Sequence, residues 1–221
     1  LFKERVIYLA EKLITIVQYY LGTNAERLTM STAELLVGSE FYETDGLKYK
    51  WDGTTWVEGL NNVSSNHYDT SDTITRPDNI TAYDALDVVG EGVAVNLVFA
   101  NAGPSGGQVI INSISMRCDV NAVPSGMSTY RLHLYNAAPT AIADNVAYNL
   151  ATGDRTKYLG KIDIPTPEDL GDTLWSESNG LGKIVKLADG STTLYGILQT
   201  MAAYTPTASI IKTVAMHNVG V

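Results

Sequence analysis

Hydrophobic spacing changes character along the chain. Phe2, Val6, Leu9, Leu13, Ile16 and Tyr20 recur at steps of four and three residues. That is the a/d seam of an amphipathic helix held for nearly three heptads, and Gly22 supplies a C-terminal stop. The spacing predicts a helix over residues 2–21. Its stripe either packs on its own domain or joins copies of the chain. Leu13 at an a position and Ile16 at a d position favour more than two strands, so the expected assembly is a trimer with those six residues as its interface. Thr23-Asn-Ala-Glu26 and Ser31-Thr-Ala-Glu34 each read as a capping box opening a short helix. Residues 1–37 are thus expected to form a helical anchor or oligomerisation segment.

The pattern then shifts to aromatics between turn residues. Asp45-Gly46 and Asp52-Gly53 supply the positive-φ positions of tight hairpin turns. Phe41, Tyr42, Tyr49, Trp51 and Trp56 flank them, which predicts an aromatic β-meander over residues 38–58. Residues 59–73 are rich in Asn, Ser, Asp and Thr and read as a linker. Beyond residue 74 the period is two. Ile110, Ile114, Met116, Cys118 and Val120 alternate with Ser113, Ser115, Arg117 and Asp119, and Tyr130, Leu132 and Leu134 with Arg131, His133 and Tyr135. Residues 194–201 and 209–216 are apolar on both faces, as central strands are. Gly and Pro punctuate this region. The fold class expected is mainly β: a helix, a small meander, and an antiparallel β-sandwich of jelly-roll type over 74–221.

Composition narrows the chemistry. A net charge of -9 and the lack of a Lys/Arg cluster argue against nucleic acid. The apolar run at 6–21 is too short and too charged for a membrane span. The chain opens on Leu rather than Met, consistent with a preceding segment. One cysteine excludes an internal disulfide, and Cys118 reads as a buried small hydrophobe. His67, His133 and His217 lack partners at metal-ligand spacing and read as surface residues. Gly103-Pro-Ser-Gly-Gly107 lacks the Lys-Ser/Thr ending of a phosphate loop. Asp69, Asp72, Asp84 and Asp87 do not form a calcium loop. Asp163, Glu168, Asp169 and Asp172 are the carboxylates a glycosidase would draw on, but their Pro/Gly company says exposed loop. No catalytic, cofactor or metal residues are assigned. Trp51, Trp56 and Trp175 are the candidate sugar-stacking platform, with a cross-strand aromatic mini-core as the competing role for the first two.

Two segments carry a resemblance. Gly38-Ser-Glu-Phe-Tyr-Glu-Thr-Asp-Gly-Leu-Lys-Tyr-Lys-Trp-Asp-Gly-Thr-Thr-Trp-Val57 resembles the F-Y-E-T-D-T-G…W-D-G-T-x-W segment of tailed-bacteriophage virion proteins, with the first turn shortened. Thr75-Arg-Pro-Asp-Asn-Ile-Thr-Ala-Tyr-Asp-Ala-Leu-Asp-Val-Val-Gly90 resembles a segment that opens the β domains of phage structural proteins. The resemblance implies a non-enzymatic virion component, without cofactor, that decorates the capsid or forms a short head or tail appendage. Its implied partners are capsid, portal or tail proteins and further copies of itself. The alternatives are a tail-fibre module binding host surface glycan and a polysaccharide depolymerase.

Overall fold

The computed structural model describes residues 2–10, 13–31, 33, 35–44, 48–58 and 67–220. The chain divides into two compact units, Leu1–Ser64 and Ser65–Val221, each built on β-strands.

In the first unit, the helix expected over residues 2–21 is replaced by two strands. β1 (Phe2–Ala10) and β2 (Leu13–Gly22) pair antiparallel from Phe2↔Leu21 to Ala10↔Leu13. The physical reason lies in residue type. Val6-Ile-Tyr8 and Ile14-Thr-Ile-Val17 are β-branched or aromatic, stiff at χ1 and suited to a pleated surface. Strand positions share a face every two residues, a period that a four–three spacing does not match. The trimer was read from helical spacing, and two paired strands do not supply that spacing.

Local signals fared better just beyond. Thr23 caps α1 (Asn24–Leu28) through the expected box: its hydroxyl accepts from the Glu26 amide at 3.3 Å, and Glu26 Oε2 accepts from the Thr23 amide at 2.7 Å. The second box, at residues 31–34, falls partly outside the described residues. The segment containing α1 returns the chain so that β3 (Glu40–Glu43) lies parallel to β2. β4 (Lys48–Trp51) and β5 (Trp56–Glu58) follow antiparallel, which is the expected meander. The Asp45-Gly46 turn lies outside the described residues. At the second turn Gly53 takes φ 108°, and the Thr55 and Thr54 amides donate to Asp52 at 2.8 and 2.7 Å. Those bonds hold the Asp52 carboxyl down at about 2.

The second unit starts at β6 (His67–Thr75), so residues 67–73, expected in the linker, already belong to the sandwich; residues 59–66 lie outside those described. There follow β7 (Val88–Val89), β8 (Leu97–Phe99), β9 (Gln108–Cys118), β10 (Tyr130–Tyr135), β11 (Tyr158–Ile164), β12 (Glu168–Asp169), β13 (Leu174–Ser178), β14 (Lys183–Lys186), β15 (Leu194–Thr200) and β16 (Ile211–Gly220). One sheet runs β11-β10-β15-β7, with β8 also on β15. The other runs β12-β13-β9-β16-β6, with β14 also on β9. All pairs in this unit are antiparallel.

Counting β7 with β8, and β13 with β14, as one position each, and setting the two-residue β12 aside, the pairing is nested. The first strand pairs with the last, the second with the seventh, the third with the sixth and the fourth with the fifth. That is one long hairpin rolled into two sheets, the jelly-roll winding. Ile74, Ile111, Ile114, Met116, Val214 and Met216 of one sheet meet Phe99, Leu132, Leu134, Ile164, Leu194 and Leu198 of the other in a shared core. The central strands β15 and β16 are the two the sequence marks as apolar on both faces.

Two local departures from strict alternation matter. His217 pairs with Ser113 but Asn218 pairs with Ile111, so Asn112 is left over as a β-bulge. The bulge reverses parity along β9: Val109 and Ile111 point inward, not Ile110. On β10 the outward residues His133 and Tyr135 are also buried. Tyr148, Leu150 and Ile142, from the connection between β10 and β11, cover that outer face together with Val88 and Ile197.

Candidate functional site

Of the residues singled out as a platform, Trp51 and Trp56 belong to the first unit and Trp175 to the second. Trp51 and Trp56 face each other across β4 and β5, ring centroids 5.5 Å apart. Phe41 and Tyr20 complete the cluster, at 5.9 and 6.5 Å from the Trp56 ring. Phe41, Trp51 and Tyr20 are buried, so these rings form a mini-core. Next to them Arg27 donates to Glu43 at 2.8 Å and stacks 3.7 Å over the Tyr49 ring. Among the six assembly candidates, Phe2, Val6 and Leu9 stand on β1, and Leu13, Ile16 and Tyr20 on β2.

Trp175 is different. On β13, Leu174 and Ser176 are buried while Trp175 and Glu177 turn outward; 37% of Trp175 is exposed. Strand pairing sets Glu168 directly opposite it. Ser176 Oγ donates to the Pro165 carbonyl at 2.7 Å and fixes the neighbouring chain. The result is a hollow of about 180 Å³ lined by Pro165, Thr166, Glu168, Trp175, Ser176 and Glu177. The indole N–H reaches Glu177 at a long 3.4 Å. An open indole face flanked by two exposed carboxylates offers stacking and hydrogen-bond acceptors to a hydroxyl-rich ring. Two of the remaining glycosidase candidates are engaged by other groups. Asp163 is lowered by the Arg131 guanidinium at 2.7 Å, and Asp169 accepts from the Gly171 amide at 2.8 Å.

The segment Thr75–Gly90 forms a buried polar knot. Arg76 is buried, and four hydrogen bonds engage all three of its guanidinium nitrogens. Nε donates to Tyr83 Oη at 2.9 Å, Nη1 to the Asn79 carbonyl, and Nη2 to Asn79 Oδ1 at 3.1 Å and the Thr81 carbonyl at 2.8 Å. Asp144 stands 3.6 Å from Arg76 Nε and accepts from the Tyr83 hydroxyl and, at 3.0 Å, from the Gly90 amide. Tyr83 in turn lies 5.1 Å from the Tyr204 ring, and the Tyr130 hydroxyl donates to Tyr204 at 3.0 Å. A charge this deep is retained only when its partners are satisfied, and here they are.

His133 overturns its sequence reading as a surface residue: it is 5% exposed. Gln199 Nε2 donates to the Leu86 carbonyl at 2.8 Å, which turns its Oε1 toward His133 Nε2 at 3.0 Å. Nε2 therefore carries the proton, and Nδ1 accepts from Tyr158 Oη at 3.1 Å. The ring also stacks on Tyr148 at 3.6 Å. Burial lowers the His133 pKa, and the neutral ring satisfies every neighbour. His217 is exposed and pairs with Asp69 at 2.8 Å. Asp72 is used by the Val98 amide at 2.6 Å and Asp87 by the Asp84 amide at 2.8 Å. Among the described residues no three His, Cys, Asp or Glu converge as metal ligands, and no helix is long and apolar enough to cross a membrane.

No protein-family model matches the chain, and no curated protein matches it. Among solved structures it is similar to that of turnip yellow mosaic virus at 10% identity and a TM-score of 0.27, over 76% of this chain and 86% of that one. A marine algae virus of the order Picornavirales gives 14% identity and a TM-score of 0.17, over 71% and 67%. The Gx strain of infectious bursal disease virus gives 12% and 0.21, over 79% and 47%.

Three features escaped the sequence reading. Arg76 and Asp144 lie in different parts of the chain, and so do His133 and Gln199. No local pattern links them. Lys212 did leave a signal: it shares the inward parity of Val214 and Met216, where a charge is out of place.

Proposed function

We propose that the chain is a structural component of a tailed-phage particle, decorating the capsid or forming a short head or tail appendage, and that it acts by contact rather than by bond-making. One observation carries this reading. Both segments that resemble virion proteins are consumed by architecture: Gly38–Val57 by the aromatic sheet, Thr75–Gly90 by the Arg76 knot. Motif residues engaged this way keep a body rigid and present surface to neighbours. Jelly-roll sandwiches also serve lectins and cupins, so the winding alone is neutral. With the heptad seam gone, no copy number is proposed.

The test is to raise antibody to the purified chain and probe density-banded particles from phage lysates of the source culture. Signal that stays with the particles after nuclease and mild detergent supports the reading. Signal confined to the soluble fraction overturns it.

The Trp175 hollow favours a second reading, a glycan-binding appendage. It predicts that Trp175→Ala weakens binding to host surface polysaccharide by about tenfold or more, about 1.4 kcal/mol, with the melting curve unchanged. Equal binding by the variant refutes it.

A further inference from the structure

Cys118 is the chain's single cysteine, and Lys212 is its direct partner across β9 and β16. Both side chains point inward, in line with Met116 on one strand and Val214 and Met216 on the other. Neither residue is exposed at all. Directly opposed residues of an antiparallel pair hold their Cβ atoms about 5 Å apart, well within the reach of a lysine chain. The Lys212 amine has no hydrogen-bond partner, although a buried ammonium brings three donors that demand acceptors. The carboxylate that influences it, Asp144, is already engaged by Tyr83, the Gly90 amide and Arg76. Burial pushes Lys212 down to about 8, and Cys118 acts most strongly against that fall. Part of the amine is therefore neutral near pH 7, with its lone pair free and a thiol beside it.

We propose that Lys212 and Cys118 form a redox-closed covalent clamp, a nitrogen–oxygen–sulfur bridge between the two paired strands at the centre of one sheet. The oxidant is dioxygen, small and apolar enough to enter a packed core. Its O=O bond breaks. One N–H of the amine and the S–H of the thiol break, and N–O and O–S bonds form. One oxygen remains in the bridge, and the other leaves as water with the two released hydrogens. The nitrogen keeps its second hydrogen, and nitrogen and sulfur together give up the four electrons that dioxygen takes. A thiol reductant reopens the bridge. The clamp ties β9 to β16 after the chain has folded in reducing surroundings, which suits a protein that must later persist in air.

The experiment compares full-length protein purified under argon with the same protein held in air, by denaturing intact mass, thiol titration and peptide mapping. In air the chain is expected to gain one oxygen and lose two hydrogens, to lose its titratable thiol, and to yield a linked peptide containing Cys118 and Lys212 that dithiothreitol separates. Lys212→Met keeps its thiol in air, and Cys118→Ser keeps the unmodified mass; melting curves verify that both fold. A thiol that titrates fully after air exposure overturns the proposal. So does gain of a whole oxygen without hydrogen loss, trapped by dimedone as a sulfenic acid on Cys118, or equal thiol loss in Lys212→Met.

Discussion

Lys212→Met, studied in reductant, tests how much a buried, unpartnered charge costs this fold. Methionine has similar length and no donors to satisfy. The folded pKa of Lys212 sits at about 8 against an ordinary 10.5. At about 1.4 kcal/mol per unit this is about 3 kcal/mol of destabilisation wherever both states are protonated. The sign follows from the direction. Between pH 8 and 10.5 the unfolded chain holds the proton that the folded chain has released, so wild-type stability from this group rises with pH across that window. Arg76 pushes the amine further down, while Cys118 and Asp144 pull it up. The variant is expected to be about 3 kcal/mol more stable than wild type at pH 7 and only about 2 more stable at pH 9. The thiol, raised by burial to about 11, and the raised phenols of Tyr83, Tyr130 and Tyr204 oppose this above their ordinary values. They do so in both proteins, so the difference between proteins is the quantity to read. The assay is urea unfolding followed by near-ultraviolet circular dichroism of the buried tyrosines. A variant less stable than wild type, or an advantage that does not shrink with pH, refutes the reasoning.

Other outcomes follow from the same packing. Asp144→Ala leaves Arg76 buried without its counter-charge and is expected to cost about 3–5 kcal/mol in chemical denaturation; a loss under about 1 would deny the knot its role. His133 has a folded pKa below its ordinary 6.5, so the unfolded chain takes up the proton first and stability falls as pH drops from about 7 to 5. His133→Gln should flatten that slope, and an unchanged slope would assign it to other groups. Thr23→Ala removes one half of the capping box and should cost the first unit about 1 kcal/mol, seen as earlier exchange of the α1 amides without change in those of β9 and β16.

Local chemistry was legible wherever it closes within a few residues. The Thr23–Glu26 box, the turn at Asp52-Gly53, the meander strands, and the inward set Tyr130, Leu132 and Leu134 could all be read from spacing, because each is fixed by neighbours a few positions away. Residue spacing misled at residues 2–21. A four–three pattern and strand propensity competed there, and pairing between Phe2–Ala10 and Leu13–Gly22 decided for strands by satisfying backbone groups across two stiff, β-branched segments. Tertiary structure alone determined the rest. A cover over the outer face of β10 turned His133 from a surface residue into a buried one. The bulge at Asn112 exchanged Ile110 for Val109 and Ile111. Placing the last strand, β16, beside β9 in the sheet brought Lys212 against Cys118, and the knot joined Arg76 to Asp144. Such contacts depend on which distant segments share a sheet or a core, and a period of two or of three and a half residues carries no record of that choice.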